Sequence, residues 1–233
     1  VRDLLMDREP KDYDLSTAAT PEQVKSIFGR RARIIGKRFR IVHVYQGREI
    51  IEVSTFRRAP SQDEGENDED EAMDPSERII RTDNEYGSAE EDAWRRDFTV
   101  NAIFYDPMAD KLVDFTKGRE DLENGLVRII GDPKTRFNED PVRILRALKL
   151  VGQYDFALTD DTENAIFDSL DLIKLCSKSR LVLELEKVFH NVYSDEILHA
   201  CHDFGLLAKL LPNLDAVWEN DEGHMAMQLL TEH

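Results

Sequence analysis

The segment that decides the fold is FRIVHVYQGREIIEVSTF, at residues 39–56. Apolar and polar residues alternate on both sides of Gln46-Gly47, which predicts a hairpin of two strands, Phe39–Tyr45 and Glu49–Phe56. A third strand is predicted just before it, around Arg33–Ile35. Upstream, TPEQ at residues 20–23 combines a capping threonine, a proline at the first helical position and a glutamine that completes a capping box. This motif predicts a helix that runs to Phe28.

Beyond the hairpin, the apolar pattern changes to helical spacing. Up to about residue 131, short apolar runs alternate with brief helical signals, as in a mixed α/β unit. From residue 138 onward, apolar residues recur at three- and four-residue intervals. The sequence therefore predicts an α+β protein with a mixed head at 1–131 and an all-helical section at 132–233. The further elements predicted are a short helix at Ala89–Trp94, strands at Ile103–Tyr105 and Lys111–Asp114, and helices at Glu139–Val151, Asp160–Leu172, Arg180–Val192 and Asp195–Leu211.

The composition is that of a globular protein outside the membrane. The chain has 233 residues, of which 41% are hydrophobic and 34% are charged. No apolar stretch approaches the roughly 20 residues that a membrane span requires. Cys176 and Cys201 stand singly in apolar helical patterns without metal-ligand spacing, so we interpret both as reduced core thiols. These features predict a cytoplasmic protein with no membrane partner.

The formal net charge of −17 is unevenly distributed along the chain. Residues 63–77, DEGENDEDEAMDPSE, contain nine acidic residues and no basic one, so we interpret 61–78 as a solvated acidic loop in the head. Basic residues cluster elsewhere, which suits either a solvated strand face or a local phosphate contact. The members of this basic cluster are Arg30, Arg31, Arg33, Lys37, Arg38 and Arg40.

Two aspartates near the N-terminus form a candidate metal site. In an extended strand Asp12 and Asp14 point to the same face, so their carboxylates lie side by side. Such a pair repels itself unless a cation neutralises it, and Mg²⁺ accepts a few carboxylates together with water and phosphate oxygens. A solvated strand end is the alternative. Glu52, amid apolar strand residues, is a candidate third carboxylate, unless it lies on an edge or pairs with an arginine.

The segment RRDFTVNA at residues 95–102 is a second candidate site. If it is helical, Asp97 and Asn101 are four residues apart and share a face. A carboxylate beside an amide suits a ribose edge, because a 2′-hydroxyl both donates and accepts hydrogen bonds. Arg96 is placed to contact a phosphate. The alternative is a capped helix start with an internal Asp–Asn hydrogen bond.

The segment NEDPVRILR at residues 138–146 is a third candidate site. Asn138 is expected to cap a helix that tolerates the following proline in its first turn. Asp140 and Arg143 then lie one turn apart, and an acceptor beside a donor is able to read the edge of a nucleobase. Arg146 continues the same face. A helix-surface ion pair is the alternative interpretation.

Taken together and in this order, the motifs resemble those of a known family. The motifs are VRD at residues 1–3, the Asp12/Asp14 pair, RRDFTVNA, GLVRIIGDP at 125–133 and EDPVR at 139–143. They are similar to the successive motifs of the class II tRNA nucleotidyltransferase and bacterial poly(A) polymerase family. The resemblance covers nearly the whole chain. It implies a head like the palm of DNA polymerase beta, followed by a helical neck and the start of an RNA-binding body.

The resemblance also implies a role for each matching residue. The carboxylates would serve catalysis, and either Glu52 or Asp97 would be the third one in space. Asp97 matches a position treated as catalytic in the family. The implied roles are Mg²⁺ binding for Asp12 and Asp14, triphosphate contact for Arg2, ribose recognition for Arg96, Asp97 and Asn101, base recognition for Asp140 and Arg143, and support of nucleotide binding for Arg146.

The segment IIGKRFRIVHV at residues 34–44 bears on the product. Its basic pair, aromatic residue and histidine are typical of the bacterial poly(A) polymerases, whereas CCA-adding relatives more often have a Gly-Thr strand there. We therefore expect addition of AMP from ATP to RNA 3′ ends, with RNA and ATP as partners. The alternatives are a CCA-adding enzyme and a catalytically inactive RNA-binding module. The chain enters the first motif at Val1, without the family's preceding glycine pair, so we expect a fragment.

Overall fold

The computed structural model describes residues 1–10, 12–36, 40–58 and 85–218. The chain forms two compact units, Val1–Arg96 and Asp97–His233. The acidic segment 61–78 and the basic residues Lys37 and Arg38 lie outside the described residues, so the interpretations given for them stay predictions. The domain boundary at residue 131 also stays a prediction.

The first unit contains a four-stranded mixed sheet and short helices. Its described elements are α1 (Arg2–Leu5), β1 (Asp14–Thr17), α2 (Pro21–Phe28), a 3-10 turn (Gly29–Arg31), β2 (Ala32–Ile35), β3 (Ile41–Gln46), β4 (Glu49–Thr55) and α3 (Ala89–Trp94). The strand order is β1-β4-β3-β2, with β1 parallel to β4 and the other two pairs antiparallel. The predicted hairpin corresponds to β3 and β4, and β2 is an edge strand.

Helix α2 covers one face of this sheet. The side chain of Thr20 accepts a hydrogen bond from the backbone N–H of Gln23, whose side chain accepts one from the N–H of Thr20, which completes the predicted capping box. The chain leaves the helix at Gly29, where φ is +57°. The core beneath α2 is made of alternate strand residues, so the side chains between them, among them Asp14, His43 and Glu52, lie on the opposite face of the sheet. The core members are Val24, Ala32, Val42, Val44 and Val53.

The second unit begins with an extended segment, not with a helix. Phe98 pairs with Ile129 across an antiparallel bridge, and the N–H of Ile130 donates to the carbonyl of Asp97 at 2.9 Å. A short 3-10 turn, Thr99–Asn101, follows. The helical placement of Asp97 and Asn101 on one face was therefore wrong, because the backbone of residues 97–99 is taken up by pairing with residues 128–130.

The remaining elements of the second unit agree with the predicted change to helices. A hairpin of β5 (Ile103–Asp106) and β6 (Lys111–Asp114) precedes α4 (Gly118–Glu123), and β7 (Leu126–Val127) pairs in parallel with β8 (Ala157–Leu158). The α+β fold class is confirmed. The helices that follow are α5 (Pro133–Glu139), α6 (Val142–Tyr154), α7 (Asp160–Ser169), a 3-10 turn (Leu170–Leu175), α8 (Lys178–Phe189), α9 (Ser194–Asp203), α10 (Leu206–Leu210) and α11 (Pro212–Trp218).

Three predicted helix boundaries in the second unit are corrected. The helix predicted at Glu139–Val151, with Asn138 as its cap, corresponds to α6, which starts after Pro141. The preceding residues Pro133–Glu139 form a separate helix, α5, which Asp132 caps. Asn138 therefore lies inside α5. The helix expected to run from Asp195 to Leu211 is divided at Gly205, whose φ of +72° ends α9 before α10. The helix predicted at Asp160–Leu172 ends at Ser169 as α7, because the 3-10 turn Leu170–Leu175 follows it. Among the described residues, no helix is long and apolar enough to cross a membrane.

Gly152 allows α6 and α9 to cross at close range. A Cβ atom built on Gly152 would lie 2.5 Å from both the N and the Cα of Ile197. Alanine normally stabilises a helix relative to glycine by about 0.5–1 kcal/mol. Here we expect Gly152→Ala to lower the free energy of unfolding by about 1–3 kcal/mol, because the backbone of α9 must move.

Urea unfolding monitored by circular dichroism measures this effect. Glu186→Ala, on the exposed surface of α8, is the matched control and is expected to change stability by less than about 0.5 kcal/mol. A Gly152→Ala protein as stable as the wild type would contradict the close crossing.

Candidate active site

The face of the sheet opposite α2 in the first unit carries paired acidic side chains. Asp14 on β1 lies opposite Glu52 on β4 in the parallel register. Two residues further along, the hydroxyl oxygens of Ser16 and Ser54 are 3.1 Å apart, so both strands present these positions on the same side. Glu52 also has a neighbour on β3, since the Nε2 atom of His43 lies 3.3 Å from its Oε1. The face therefore places Glu52 between a carboxylate and an imidazole.

The electrostatics of Asp14 suit a cation. Partial burial raises the pKa of Asp14, and the nearby carboxylates of Asp12 and Glu52 raise it further, while Arg96 acts in the opposite direction. Each of these carboxylates therefore disfavours ionisation of Asp14. A divalent cation bound between Asp12 and Asp14 would remove that repulsion. The charge distribution fits the metal site predicted for this pair.

The number of protein ligands available to a metal is small. In the part of the chain that the structure describes, no group of three or more His, Cys, Asp or Glu side chains is arranged to hold a metal ion. Mg²⁺ commonly binds one or two carboxylates and completes its shell with water and substrate phosphate oxygens. The Asp12/Asp14 pair matches this mode of binding. The assignment of Glu52 as a direct third ligand stays a prediction.

Arg96 is held by an acidic residue that the sequence did not single out. Asp92 is buried, and its Oδ2 accepts a hydrogen bond from Nη2 of Arg96 at 3.0 Å. Its Oδ1 accepts from Nε of Arg95 at 3.0 Å and from the backbone N–H of Arg57 at 3.1 Å. Asp92 thus orients the arginine pair of the RRDFTVNA motif. The only sequence signal for it is the spacing of three and four residues to the two arginines. Elsewhere in this unit, Arg2 donates to Asp3 at 2.9 Å.

Asp97, in the second unit, accepts hydrogen bonds from two arginines of α6. Nε of Arg143 lies 2.7 Å from its Oδ1, and Nη1 of Arg146 lies 2.8 Å from its Oδ2. A third guanidinium, that of Arg136 on α5, lies 3.7 Å from Oδ1. Burial by itself would raise the pKa of Asp97, but hydrogen bonds and charge from Arg143 and then Arg146 outweigh burial and lower it. The carboxylate is therefore ionised and held rigidly.

Arg146 links the half-buried Asp97 to a buried acid, Glu184. Its Nη2 atom donates to Oε1 of Glu184 on α8 at 2.9 Å, and Glu184 is only 7% exposed. Lys187 also donates to this oxygen, at 3.0 Å. Burial opposes ionisation of Glu184, yet the hydrogen bonds from Lys187 and Arg146 lower its pKa. The result is a chain of alternating charges that fixes the position of Arg146.

Asp140 and Arg143 do not form the helix-surface ion pair that was the alternative for this segment. Asp140 lies in the break between α5 and α6 in an extended conformation, and its Oδ2 accepts from Arg180 of α8 at 2.7 Å. Arg143 donates to the carbonyl of Arg136 at 2.6 Å and to Glu139 at 3.1 Å, in addition to Asp97. The two side chains thus have separate partners, and the expectation of one shared helix face was wrong because Pro141 interrupts the helix.

Several residues of this cluster lie outside the motifs recognised in the sequence. Arg136, Arg180 and Glu184 each contact a candidate site residue. Arg180 and Glu184 are 40 and 38 residues from their partners Asp140 and Arg146. Helical spacing places them on α8 but does not predict which side chains they meet. Asn101 lies at the end of the 3-10 turn and is partly buried.

Known proteins similar to this chain include poly(A) polymerases and CCA-adding enzymes. The profile described as "Poly A polymerase head domain" matches residues 1–128, and that described as "Probable RNA and SrmB- binding site of polymerase A" matches residues 155–217. The Poly(A) polymerase I of Haemophilus influenzae is 40% identical over 230 residues, which are 99% of this chain and 50% of that protein. A CCA-adding enzyme of a Geobacillus species is 36% identical over 210 residues, 90% of this chain and 48% of that protein.

A solved structure gives the same result for the fold. The crystal structure of the Bacillus stearothermophilus CCA-adding enzyme in complex with CTP matches with a TM-score of 0.71 and 32% identity, over 88% of this chain and 46% of that one. The chain spans about half the length of the curated relatives that it matches. The head-domain match covers more than half of the chain and includes the carboxylate pair and the RRDFTVNA motif. The chain therefore belongs to the family of the poly A polymerase head domain.

Proposed function

We propose that this chain is the catalytic part of an enzyme that adds AMP from ATP to RNA 3′ ends without a template. The observation that carries the proposal is the pairing of Asp14 with Glu52 on the sheet face opposite α2, where partial burial and then the neighbouring carboxylates raise the pKa of Asp14. The 40% identity to a poly(A) polymerase I over nearly the whole chain supports the choice of reaction. In this reaction the RNA 3′-hydroxyl attacks the α-phosphate, and pyrophosphate leaves.

Asp12 and Asp14 would hold Mg²⁺ in this reaction. When bound, the ion would lower the pKa of the attacking hydroxyl and neutralise charge on the leaving pyrophosphate. The two aspartates would set the position of the reacting groups, and much of the rate enhancement of such a reaction comes from alignment. We assign Asp97 a catalytic role and keep Glu52 as the alternative third carboxylate.

Nucleotide selection is proposed for the residues that match the family motifs. Arg2 would contact the triphosphate, and Arg96, oriented by Asp92, would contact the nucleotide near its ribose together with Asn101. Asp140 and Arg143 would read the base. Their partners Arg180 and Glu139 leave lone pairs on Asp140 and donors on Arg143 available for this purpose. Arg146, fixed by Glu184, would support nucleotide binding.

The other two candidate functions fit less well. A CCA-adding enzyme is supported by the 36% identical Geobacillus protein, whereas the segment at residues 34–44 favours the poly(A) reaction. An inactive RNA-binding module would not require the acidic pair Asp12/Asp14. We propose that the enzyme works in the cytoplasm, where free thiols persist. Both cysteines are free, and burial raises the pKa of Cys201 to about 12, so this thiol is unreactive.

The decisive experiment gives the full-length protein that contains this chain each NTP separately. Mg²⁺ is present, and the acceptor is either an arbitrary RNA or a tRNA that lacks its 3′ end. We expect long adenylate ladders on the arbitrary RNA with ATP only. Addition of three defined nucleotides confined to tRNA would establish the CCA-adding alternative. RNA binding without incorporation of any nucleotide would establish the inactive module.

A further inference from the structure

A row of four ionisable side chains crosses the sheet of the first unit. Arg33 on β2 lies opposite His43 on β3, His43 lies opposite Glu52 on β4, and Glu52 lies opposite Asp14 on β1. All four occupy the face that α2 leaves uncovered, because Ala32 and Val53, the neighbours of Arg33 and Glu52, point into the core. The row runs from the carboxylates at one edge of the sheet to a guanidinium at the other.

Cross-strand charge pairing does not explain why an arginine occupies position 33 of the sheet. Cross-strand charge pairs stabilise a sheet when opposite charges lie directly opposite each other. The direct neighbour of Arg33 is His43, however, and the acid Glu52 is one strand further away. Within the described residues Arg33 is exposed and has no ion pair. Its guanidinium lies over the ring of Tyr45, 5.7 Å from the ring centroid, which keeps it on this face of the sheet.

We infer that Arg33 binds a backbone phosphate of the RNA strand whose 3′ end reacts at Asp14. This inference rests on the proposed function, since it takes the carboxylate pair as the position of the 3′-hydroxyl. The RNA must continue from that point, and the row leads from acidic to basic side chains across the sheet. A phosphate is attracted to the basic end and repelled from the acidic end unless a metal is bound there. An arginine positioned over an aromatic ring is a partly preorganised phosphate ligand.

The length of the row identifies which phosphate is involved. Three strand spacings of about 4.8 Å separate the Cα atoms of Arg33 and Asp14 by about 14 Å. Nucleotides along one stacked strand advance by about 3.4 Å each. Arg33 is therefore expected to contact a phosphate about four nucleotides upstream of the 3′ end. The other possible source of phosphate is the triphosphate of the incoming nucleotide, and the two sources predict different kinetics.

The test compares Arg33→Gln with Arg48→Gln in the full-length protein. Arg48 is an exposed residue of the turn between β3 and β4, and its loss changes the net charge equally. Extension is measured on primers of two to ten nucleotides, with KM determined separately for RNA and ATP. Binding of a 3′-phosphorylated RNA of ten nucleotides is measured by fluorescence anisotropy as a function of salt.

For Arg33→Gln we expect a KM for RNA about fivefold higher on primers longer than about four nucleotides, and an unchanged KM on shorter ones. The slope of log K against log salt should fall by about 0.7, the value for one phosphate contact on a single strand. Arg48→Gln should change neither quantity, and Arg33→Lys should restore most of the affinity. The KM for ATP should stay constant.

Three results would overturn the inference. They are an unchanged RNA affinity of Arg33→Gln, an effect independent of primer length, and a rise confined to the KM for ATP, which would assign Arg33 to the triphosphate. The proposed function is judged separately. If the wild type extends no RNA, that function is wrong, and the blocked-RNA binding and its salt slope still decide whether Arg33 binds a phosphate.

Discussion

Replacement of Asp14 by asparagine is expected to slow AMP addition to RNA by at least about 10³-fold while the fold stays intact. The amide keeps the shape of the side chain but removes one of the two charges that we assign to Mg²⁺ binding. A factor of 10³ corresponds to about 4 kcal/mol of transition-state stabilisation, within the range expected for a metal-held phosphoryl group. Initial rates at saturating ATP and RNA, over a Mg²⁺ titration, measure the effect.

The stability of this variant is part of the prediction. Because the pKa of Asp14 is raised in the folded protein, its ionisation opposes folding at neutral pH, and that penalty disappears as the pH falls. Asp14→Asn should therefore unfold at the same or a slightly higher urea concentration than the wild type at pH 7. Asp7→Asn is the matched control, since Asp7 is exposed in the same unit and its φ of +54° suits asparagine.

The outcomes for Asp14→Asn are distinct. Near-wild-type extension would remove the carboxylate pair from the metal site. Loss of extension together with a large loss of stability would indicate a structural role instead. The variant Glu52→Gln, measured in the same assay, decides the third carboxylate. A loss comparable to that of Asp14→Asn would favour Glu52, and a small effect would favour Asp97.

Replacement of Asp97 by asparagine is expected to lower the free energy of unfolding of the second unit by about 3 kcal/mol at pH 7. Asp97 is the shared acceptor of Arg143 and Arg146 and lies near the guanidinium of Arg136. Loss of its charge leaves these partly buried arginines without their shared carboxylate, although Arg143 keeps Glu139 and Arg146 keeps Glu184. Breaking a buried ion pair typically costs about 3–5 kcal/mol. We expect the lower end of this energy range because the Asp97 side chain is 22% exposed.

The effect of Asp97→Asn should depend on pH in one direction. The pKa of Asp97 is lowered by folding, so its contribution is fully present above its unfolded pKa of about 3.9 and is lost as the pH falls through the lower folded value. Urea unfolding at several pH values should thus show a difference between wild type and variant that is constant from pH 5 to 8 and shrinks below about pH 4.

The control for this prediction is Asp155→Asn. Asp155 is exposed in the same unit, and its φ of +56° is tolerated by asparagine. This substitution should change the free energy of unfolding by less than about 0.5 kcal/mol. A difference between wild type and Asp97→Asn that persists unchanged down to pH 2 would show that the stabilisation does not come from the charge of Asp97.

The sequence predicted the parts of this protein that neighbouring residues specify. The capping box at Thr20 fixes the start of α2, because its hydrogen bonds join residues only three positions apart. Alternation on both sides of Gln46-Gly47 predicted the hairpin, because side chains on a strand alternate between two faces. The order of the motifs predicted the family, which the match to residues 1–128 confirms. The α+β fold class followed from the change of apolar period.

The tertiary structure alone decided which side chains meet. The backbone of Asp97 is extended because residues 128–130 pair with it, and its arginines come from 46 and 49 residues further along the chain. The row from Asp14 to Arg33 exists only through the register of four strands. Local patterns set the conformation of a segment because its backbone interactions are short-range. Contacts between distant side chains depend on how whole elements pack, and no local pattern encodes that.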